Sequence, residues 1–151
     1  MSDPAAPAGR VVSRGRQLSL FKSKRQRGVA PPSATEFALH CAVADLIRRF
    51  IMPGWRFTHL PMGEFRNEMT AARLKRMGVT RGWPDLMFIN ATGQVYFLEL
   101  KRRGNRLTED QAALAAFLRD AGISYHCVDN FRDAVMTLKT WGIVRTGIDV
   151  Q

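Results

Sequence analysis

The stretch "VYFLELKRR", residues 95–103, decides how the rest of the chain is interpreted. It begins as an apolar run of the kind found in buried strands, and it then places Glu99 and Lys101 two residues apart. Residues i and i+2 of a strand lie on the same face, so a carboxylate and an ammonium share one face of an apolar strand. Charged groups are rarely buried without a partner or a metal ion. The run therefore predicts a strand that carries a functional site.

The flanking sequence predicts one mixed α/β domain, with a central β-sheet flanked by helices in the order α-β-α-β-β-α-β-α. The segment "PDLMFIN" and the turn "ATG" make residues 84–101 a β-hairpin. Ser33 and Glu36 form a capping box at the first helix, and Thr108 and Gln111 form a second one further along. The other predicted elements are a strand over 55–60, a helix over 67–77 closed by Gly78, a strand over 123–128, and a helix from Asp129 or Asn130 to about Trp141.

Apolar residues recur at helical spacing in two of these helices. In the first helix the spaced residues are Phe37, Cys41, Ala44, Ile47 and Phe50. In the helix after Thr108 they are Leu114, Phe117 and Leu118. The folded domain is predicted over residues 33–142, and residues 143–151 are predicted to form an edge strand or a tail.

The charge balance points to a polyanionic partner. The 151 residues hold 23 Lys and Arg against 13 Asp and Glu, a net charge of +10. Nucleic acid is the first candidate, an anionic membrane surface the second, and a solvated basic surface the plain alternative. Two cysteines make no disulfide framework, and no apolar run approaches the ~20 residues of a membrane helix. We therefore expect a cytoplasmic protein without a membrane span. The adjacent pairs His40-Cys41 and His126-Cys127 point apart, so they predict no zinc site.

Much of the positive charge is concentrated at the N-terminus. Residues 1–32 hold seven basic residues and one acidic residue, Asp3, which is +6 of the total +10. The segment is rich in Pro, Ala, Gly and Ser and is predicted to be a disordered basic arm. An organelle transit peptide is the alternative, but the arm shows no clear amphipathic helix.

Three charged residues of the hairpin are predicted to meet at one end of the sheet. Asp85 follows Pro84 at the start of the first strand, and Glu99 and Lys101 lie on the second. Two carboxylates suit a Mg²⁺ ion, which polarises a phosphodiester and lowers the pKa of a water. The lysine can orient that water or stabilise charge on the phosphate. The alternative is a structural ion pair between Glu99 and Lys101, with Asp85 as a turn residue.

The segment "GVTRGWPDLMFINATGQVYFLELKRRGNRLTEDQ", 78–111, resembles the VRR-NUC domain, a branch of the PD-(D/E)xK nuclease superfamily. The resemblance extends over roughly residues 33–140. It implies a restriction-endonuclease-like core and a DNA endonuclease that uses Mg²⁺, for which Mn²⁺ can substitute. It also implies a phage or bacterial homodimer that acts on branched DNA such as a Holliday junction. A sequence-specific restriction-type nuclease and a non-catalytic DNA-binding or recruitment module remain open as alternatives.

The resemblance also implies roles for individual residues. Asp85 and Glu99 match the metal-binding carboxylates, Lys101 matches the catalytic lysine, and the backbone carbonyl of Leu100 is a further candidate ligand. Glu36 and Gln111 match residues near the metal site, although the two capping boxes explain them equally well. Basic residues around the site are candidates for phosphate contacts, with plain solvated surface as the alternative. They are Arg73, Arg76, Arg81, Arg102, Arg103 and Arg106.

A second motif lies within the arm. "QLSLF", residues 17–21, resembles the peptide that binds the bacterial sliding clamp. Leu20 and Phe21 would occupy an apolar pocket, Gln17 would set the register by hydrogen bonding, and Leu18 completes the motif. The alternatives are that these residues pack back on the domain or support dimer contacts.

Overall fold

Helices and strands follow one another in the predicted order. The structure is a computed structural model that describes residues 34–62 and 67–147; the basic arm, Ser33 and the clamp-like motif lie outside these ranges. The helices are α1 (Ala34–Phe50), α2 (Glu68–Arg76), α3 (Glu109–Asp120) and α4 (Phe131–Thr140). The strands are β1 (Trp55–His59), β2 (Leu86–Asn90), β3 (Val95–Leu100) and β4 (Ser124–Val128). The predicted α/β fold class is confirmed for the described part of the chain.

The four strands form one mixed sheet in the order β1-β2-β3-β4. The pairs β1–β2 and β2–β3 are antiparallel, whereas β4 lies parallel to β3. A parallel neighbour requires a crossover connection, and α3 forms most of it. The carboxyl ends of β1, β3 and β4 therefore meet the start of β2 at one edge of the sheet. The charged hairpin residues lie at this edge.

The main core lies between the sheet and the helices α1 and α4. Leu98 and Leu100 of β3 pack there with Ile47 of α1 and Leu138 of α4. On the other side of the sheet, α3 packs against β4 and buries Ala115 and Leu118. Because both faces of β3 are covered, its last four residues are all buried. Burial on both faces is the physical reason for its continuous apolar run.

Two of the apolar stripes are only partly buried. Phe37 of α1 and Phe117 of α3 are each 64% exposed, and Cys41 is also exposed. The first turns of α1 reach the ends of the strands, where Glu36 contacts Arg102 and His40 contacts His59. In α3 the buried residues Ala115 and Leu118 are three apart, and Phe117 lies on another face of the helix.

The segment after α4 contributes to the core. Ile143 and Val144, which lie in the part predicted as an edge strand or tail, are 0% and 1% exposed. Val144 forms an isolated antiparallel bridge with Ile51, and the backbone N–H of Met52 donates to the carbonyl of Ile143 at 2.8 Å. These contacts tie the segment to the end of α1.

Helix α2 stands apart from the rest of the domain. It has no buried residues and packs against no other helix or strand of the described chain. Asn67 caps its start by accepting from the N–H of Thr70, and its last turn carries Arg73, Lys75 and Arg76. Neither α2 nor any other helix within residues 34–62 and 67–147 is long and apolar enough to cross a membrane.

Candidate active site

Asp85 and Glu99 come from neighbouring strands at the same edge of the sheet. Leu86 pairs with Leu98 in the β2–β3 ladder, so the next step of that register places Asp85 opposite Glu99. The carboxylate oxygen Oδ2 of Asp85 accepts a hydrogen bond from the backbone N–H of Leu100 at 2.8 Å. This bond fixes the Asp85 side chain against the end of β3.

Glu99 is a buried acidic residue with two side-chain partners. It is 1% exposed, and its Oε1 accepts from the ammonium of Lys101 at 2.6 Å and from the amide Nε2 of Gln111 at 2.7 Å. A buried carboxylate is tolerated only when its hydrogen bonds are satisfied. Glu99, Lys101 and Gln111 are therefore held together as one polar cluster.

The electrostatics of this cluster favour neutral acids and a charged lysine. Burial, followed by the negative charge of Asp85, raises the pKa of Glu99 to about 7 against the opposing effect of Lys101. Burial also raises the pKa of Asp85. Burial lowers the pKa of Lys101, but its hydrogen bond to Glu99 and the charge of Glu99 outweigh this, so the pKa ends above its ordinary value. A cation bound beside these two buried acids would stabilise their charged, deprotonated forms.

Gln111 serves both of the purposes that the sequence left open. Its side-chain oxygen accepts from the backbone N–H of Thr108, and its own N–H donates to the Thr108 hydroxyl, which completes the capping box of α3. Its side-chain nitrogen donates to Glu99. Gln111 lies four residues before the buried Ala115, so it shares the face of α3 that is turned toward the sheet.

Glu36 connects the first turn of α1 to the end of β3. Its Oε2 accepts from the backbone N–H of Arg102 at 3.1 Å, across 66 residues of sequence. Arg102 directly follows Lys101, so this contact helps to fix the chain where it leaves the site. The other half of the predicted capping box, Ser33, lies outside the described residues.

Sequence reasoning missed two histidines of the site. The rings of His40 and His59 meet edge to face with centroids 4.4 Å apart, and one ligating atom of each lies within 4.8 Å of a carboxylate oxygen of Asp85. Burial lowers the pKa of His40, which favours the neutral imidazole. Two signals could have found the pair: His40 lies one helical turn after Glu36, and His59 ends the strand beside Asp85.

Two further polar side chains lie on β4 beside the cluster. Cys127 pairs with Glu99 in the parallel ladder, and burial raises the pKa of its thiol to about 11. The thiol is therefore protonated at neutral pH and is a poor nucleophile. The hydroxyl of Tyr125 is buried and has no hydrogen-bond partner within the described residues, and burial raises its pKa.

The segment that precedes Asp85 lies close to the start of α3. Gly82 has φ +87°, and a Cβ at this position would lie 2.5 Å from the backbone carbonyl oxygen of Asp110 in α3. Trp83 packs near Phe97 with ring centroids 5.8 Å apart and donates its indole N–H to Thr80. The close approach at Gly82 holds the start of α3 against the segment that leads into β2.

The predicted phosphate-contacting arginines are all exposed, in three places on the chain. Arg102, Arg103 and Arg106 lie in the loop between β3 and α3, and Arg81 precedes Gly82. Arg73 and Arg76 lie three residues apart on α2 and share one face. Arg102 directly follows Lys101, and among the contacts of the described residues its backbone N–H is joined to the site through Glu36.

The side chains at this edge fit a divalent cation. Asp85 and Glu99 supply hard oxygen atoms of the kind that Mg²⁺ and Mn²⁺ prefer. The only grouping of three possible His, Cys, Asp or Glu ligands within residues 34–62 and 67–147 is His40, His59 and Asp85. Asp85 is thus common to the predicted acidic pair and to the histidine group. The metal roles of Asp85, Glu99, Glu36 and the Leu100 carbonyl stay predictions.

Comparison with known proteins agrees with this architecture. The profile of the VRR-NUC domain family matches residues 52–130, just over half of the chain. One solved structure, described as a VRR_NUC domain protein, shares 22% identity over 74% of this chain and 96% of its own, with a TM-score of 0.57. Another, described as a VRR_NUC domain, shares 18% identity over 71% and 97%, with a TM-score of 0.50. No curated protein matches the chain. The chain belongs to the VRR-NUC family of nuclease domains.

Proposed function

We propose that this protein is a Mg²⁺- or Mn²⁺-dependent endonuclease that hydrolyses phosphodiester bonds in branched DNA. The observation that carries the proposal is the ion pair of buried Glu99 with partly buried Lys101, beside Asp85 at one edge of the sheet. Burying an ion pair contributes little to stability, because desolvation offsets the attraction between the charges. Titratable groups with perturbed pKa values cluster at functional sites, and Asp85, Glu99 and Lys101 form such a cluster.

Each residue of the site has its own proposed role in hydrolysis. Asp85 and Glu99 would hold the cation, which when bound polarises the phosphodiester and lowers the pKa of a water. Lys101 carries its proton at neutral pH, since its pKa is raised. It therefore acts as a cation that stabilises the negative charge developing on the phosphate, and it cannot take a proton from the attacking water. Gln111 and the Leu100 N–H orient the two carboxylates.

Positive charge around the site supports DNA as the partner. Phosphate contacts from exposed Arg and Lys side chains position a duplex without reading its sequence. The loop arginines Arg102, Arg103 and Arg106 follow the catalytic strand, and α2 offers Arg73 and Arg76 from a helix with no packing role. We propose that these side chains hold the DNA backbone across the open edge of the sheet.

Branched DNA and a homodimer are the finer parts of the proposal. They are supported by the resemblance to free-standing VRR-NUC domains, and by the single compact sheet, which leaves no second domain within the described residues to read a sequence. Two copies related by a two-fold axis would bring two sites to the two strands of a symmetric junction. We place this activity in the cytoplasm of a bacterial or phage-infected cell.

Cleavage assays with matched lysine variants test the proposal. Wild type, Lys101→Met and the control Lys139→Met, which removes a lysine from α4, are incubated with linear, flapped and four-way junction DNA. Each reaction contains Mg²⁺, Mn²⁺ or EDTA. We expect wild type and Lys139→Met to cut the branched substrates only with a metal ion present, and Lys101→Met to bind them without cutting.

Three other results of these assays would contradict part of the proposal. Metal-independent binding without cleavage of any substrate would identify a DNA-binding or recruitment module. Cleavage confined to one linear sequence would identify a restriction-type nuclease. A monomer by light scattering, with and without junction DNA, would remove the dimer from the proposal and leave the chemistry intact.

We also propose that residues 17–21 bind the bacterial sliding clamp. The support is the sequence "QLSLF" alone, since these residues lie outside the described part of the chain. A labelled peptide of residues 12–27 should bind a bacterial clamp in fluorescence polarisation, and replacing Leu20 and Phe21 by alanine should abolish binding. No binding by the unmodified peptide ends this part of the proposal.

A further inference from the structure

Two histidines of the site have no role in the chemistry proposed above. His40 comes from α1 and His59 from the end of β1, and both meet at Asp85. We propose that His40, His59 and Asp85 form a metal site of two imidazole nitrogens and one carboxylate oxygen, which selects a first-row transition-metal ion over Mg²⁺. The inference shares Asp85 with the proposed nuclease site, but it concerns metal binding and can be tested without DNA.

Three separate elements bring the ligands together. One ligating atom of each residue lies within 4.8 Å of those of the other two. Zinc sites place their ligands about 2.0–2.2 Å from the ion, so tetrahedral ligands lie roughly 3.3–3.6 Å apart. Small side-chain rotations would bring the three atoms to that spacing. Because the ligands come from α1, β1 and the start of β2, a bound ion would also link the first helix to the sheet.

The ring of His59 contacts backbone through one nitrogen, Nδ1, and Nε2 is the other candidate ligand atom. Its Nδ1 lies 3.0 Å from the backbone carbonyl oxygen of Asp85. A carbonyl oxygen only accepts, so Nδ1 is the donor in this contact. In the neutral imidazole that binds metals the lone pair is then on Nε2, and we take Nε2 as the ligating atom of His59. Histidine ligands of metals usually donate their other ring N–H to a carbonyl or carboxylate in this way. The contact with the Asp85 carbonyl therefore favours the tautomer that binds a metal through Nε2.

The rest of the local structure holds that carbonyl and the carboxylate in place. The Asp85 carbonyl also accepts from the N–H of Leu60 at 2.8 Å, which continues the β1–β2 ladder past His59. The Asp85 carboxylate is held through Oδ2 by the Leu100 N–H. Both groups of Asp85 are therefore fixed by backbone contacts, and His59 is exposed, which leaves a path for an ion from solvent.

The ligand set determines which ions the site prefers. Imidazole nitrogen suits Zn²⁺, Co²⁺ and Ni²⁺, whereas Mg²⁺ prefers oxygen ligands and gives up its waters reluctantly. Three protein ligands would leave one position of a tetrahedral ion open to water or a phosphate oxygen, as in catalytic zinc sites. An edge-to-face contact of two rings is also an ordinary packing arrangement, so only a binding measurement separates a metal site from simple packing.

The third histidine of the chain provides a matched control. The full-length protein is freed of metal with EDTA, dialysed and titrated with Co²⁺, whose visible absorption reports its ligands, and then with Zn²⁺ by calorimetry. The proteins are wild type, His40→Ala, His59→Ala, His59→Gln and the control His126→Ala, which removes an exposed histidine from β4. Far-UV circular dichroism checks that each variant is folded, and His59→Gln keeps an N–H that can bond the Asp85 carbonyl.

Wild type and His126→Ala should each bind one ion per chain, whether Co²⁺ or Zn²⁺. The affinity for both ions should fall at least tenfold in His40→Ala, His59→Ala and His59→Gln. A hundredfold excess of Mg²⁺ should not displace either ion.

Equal affinity in wild type and the His40 and His59 variants would overturn the proposal, and so would displacement by Mg²⁺. A thiolate-to-cobalt charge-transfer band would also overturn it, because it would move the ion to a cysteine. If wild type binds the ion as expected but cuts no DNA substrate, the proposed nuclease function fails and this metal site stands.

Discussion

The side-chain amide of Gln111 joins the capping box of α3 to the buried carboxylate of Glu99. Its oxygen accepts from the N–H of Thr108 at 3.0 Å, while its nitrogen donates to Glu99 at 2.7 Å. One residue therefore starts a helix and orients a charged group of the site. A shift in the start of α3 would move the hydrogen bond on Glu99, so helix position and site geometry are coupled through this amide.

Gln111→Ala and Thr108→Ala should separate the two roles. Each removes part of the capping box and should lower the free energy of unfolding by about 1 kcal/mol. Only Gln111→Ala also removes a partner from a buried carboxylate, which costs about 1–3 kcal/mol more, and it should slow cleavage by about 10–100-fold. Urea unfolding and single-turnover cleavage measure the two effects. Equal activity in both variants would show that the Gln111 contact with Glu99 does not orient the site.

Gly82→Ala should be far more damaging than Gly93→Ala. Both glycines have φ near +85°, so each substitution meets the left-handed penalty of about 1–2 kcal/mol. Gly93 has nothing within 4 Å of a new Cβ, whereas Gly82 faces the Asp110 carbonyl oxygen at 2.5 Å. We expect Gly82→Ala to lose about 1–3 kcal/mol more in chemical denaturation. Equal losses in the two variants would mean that α3 can move away from the turn without cost.

Glu99→Gln should change how the metal-free protein responds to pH. The pKa of Glu99 is raised from 4.5 to about 7 in the folded state, so its protonated form favours folding. That contribution is complete below about pH 4.5 and is lost as the pH rises through about 7. In EDTA, wild type should therefore lose stability between pH 5 and pH 8, and Glu99→Gln should lose less. Urea titrations across this range measure the slopes.

The exposed Glu109 of α3 provides the control for that measurement. Glu109→Gln removes one negative charge from the same part of the protein, and its stability curve should run parallel to that of wild type. If Glu99→Gln also runs parallel to wild type, the buried carboxyl does not titrate in this range, and the electrostatic description of the site is wrong.

Removing Arg73 and Arg76 together should weaken DNA binding without weakening the fold. Their helix α2 buries nothing and packs against no other element of the described chain. If both contact phosphates, the slope of log affinity against log salt should become shallower by about 2. Fluorescence anisotropy in EDTA over a salt series measures the slope. Arg48→Ala, which removes an exposed arginine paired with Asp45 on α1, should leave it unchanged. An unchanged slope in the double variant would remove α2 from the DNA interface.

The order of helices and strands could be predicted because its signals are local. The turn at residues 91–93, the capping box of Thr108 and Gln111, and the alternation in "WRFTHL" each act over a few residues of chain. The structure confirms the element order that these signals predict, with element ends within one or two residues. The position of Asp85 opposite Glu99 follows from the same hairpin register.

The apolar faces of the helices were less predictable. Phe37 and Phe117 lie at helical spacing with buried residues, yet both are exposed. Periodicity reports that a helix has an apolar stripe, but it cannot tell where the sheet ends or which part of the stripe the sheet covers. That boundary depends on the packing of strands that are distant in sequence.

The sequence by itself determined the elements, the hairpin and the presence of Asp85, Glu99 and Lys101 at one edge, because each depends on neighbours along the chain. Only the tertiary structure decided what these groups contact. It placed Gln111 on Glu99, Glu36 on the backbone of Arg102, and the two histidines at Asp85. These contacts join separate elements, and no local propensity encodes the angle at which a helix meets a sheet. The sequence therefore supplies the chemical groups of the site, and tertiary packing determines the distances and contacts between them.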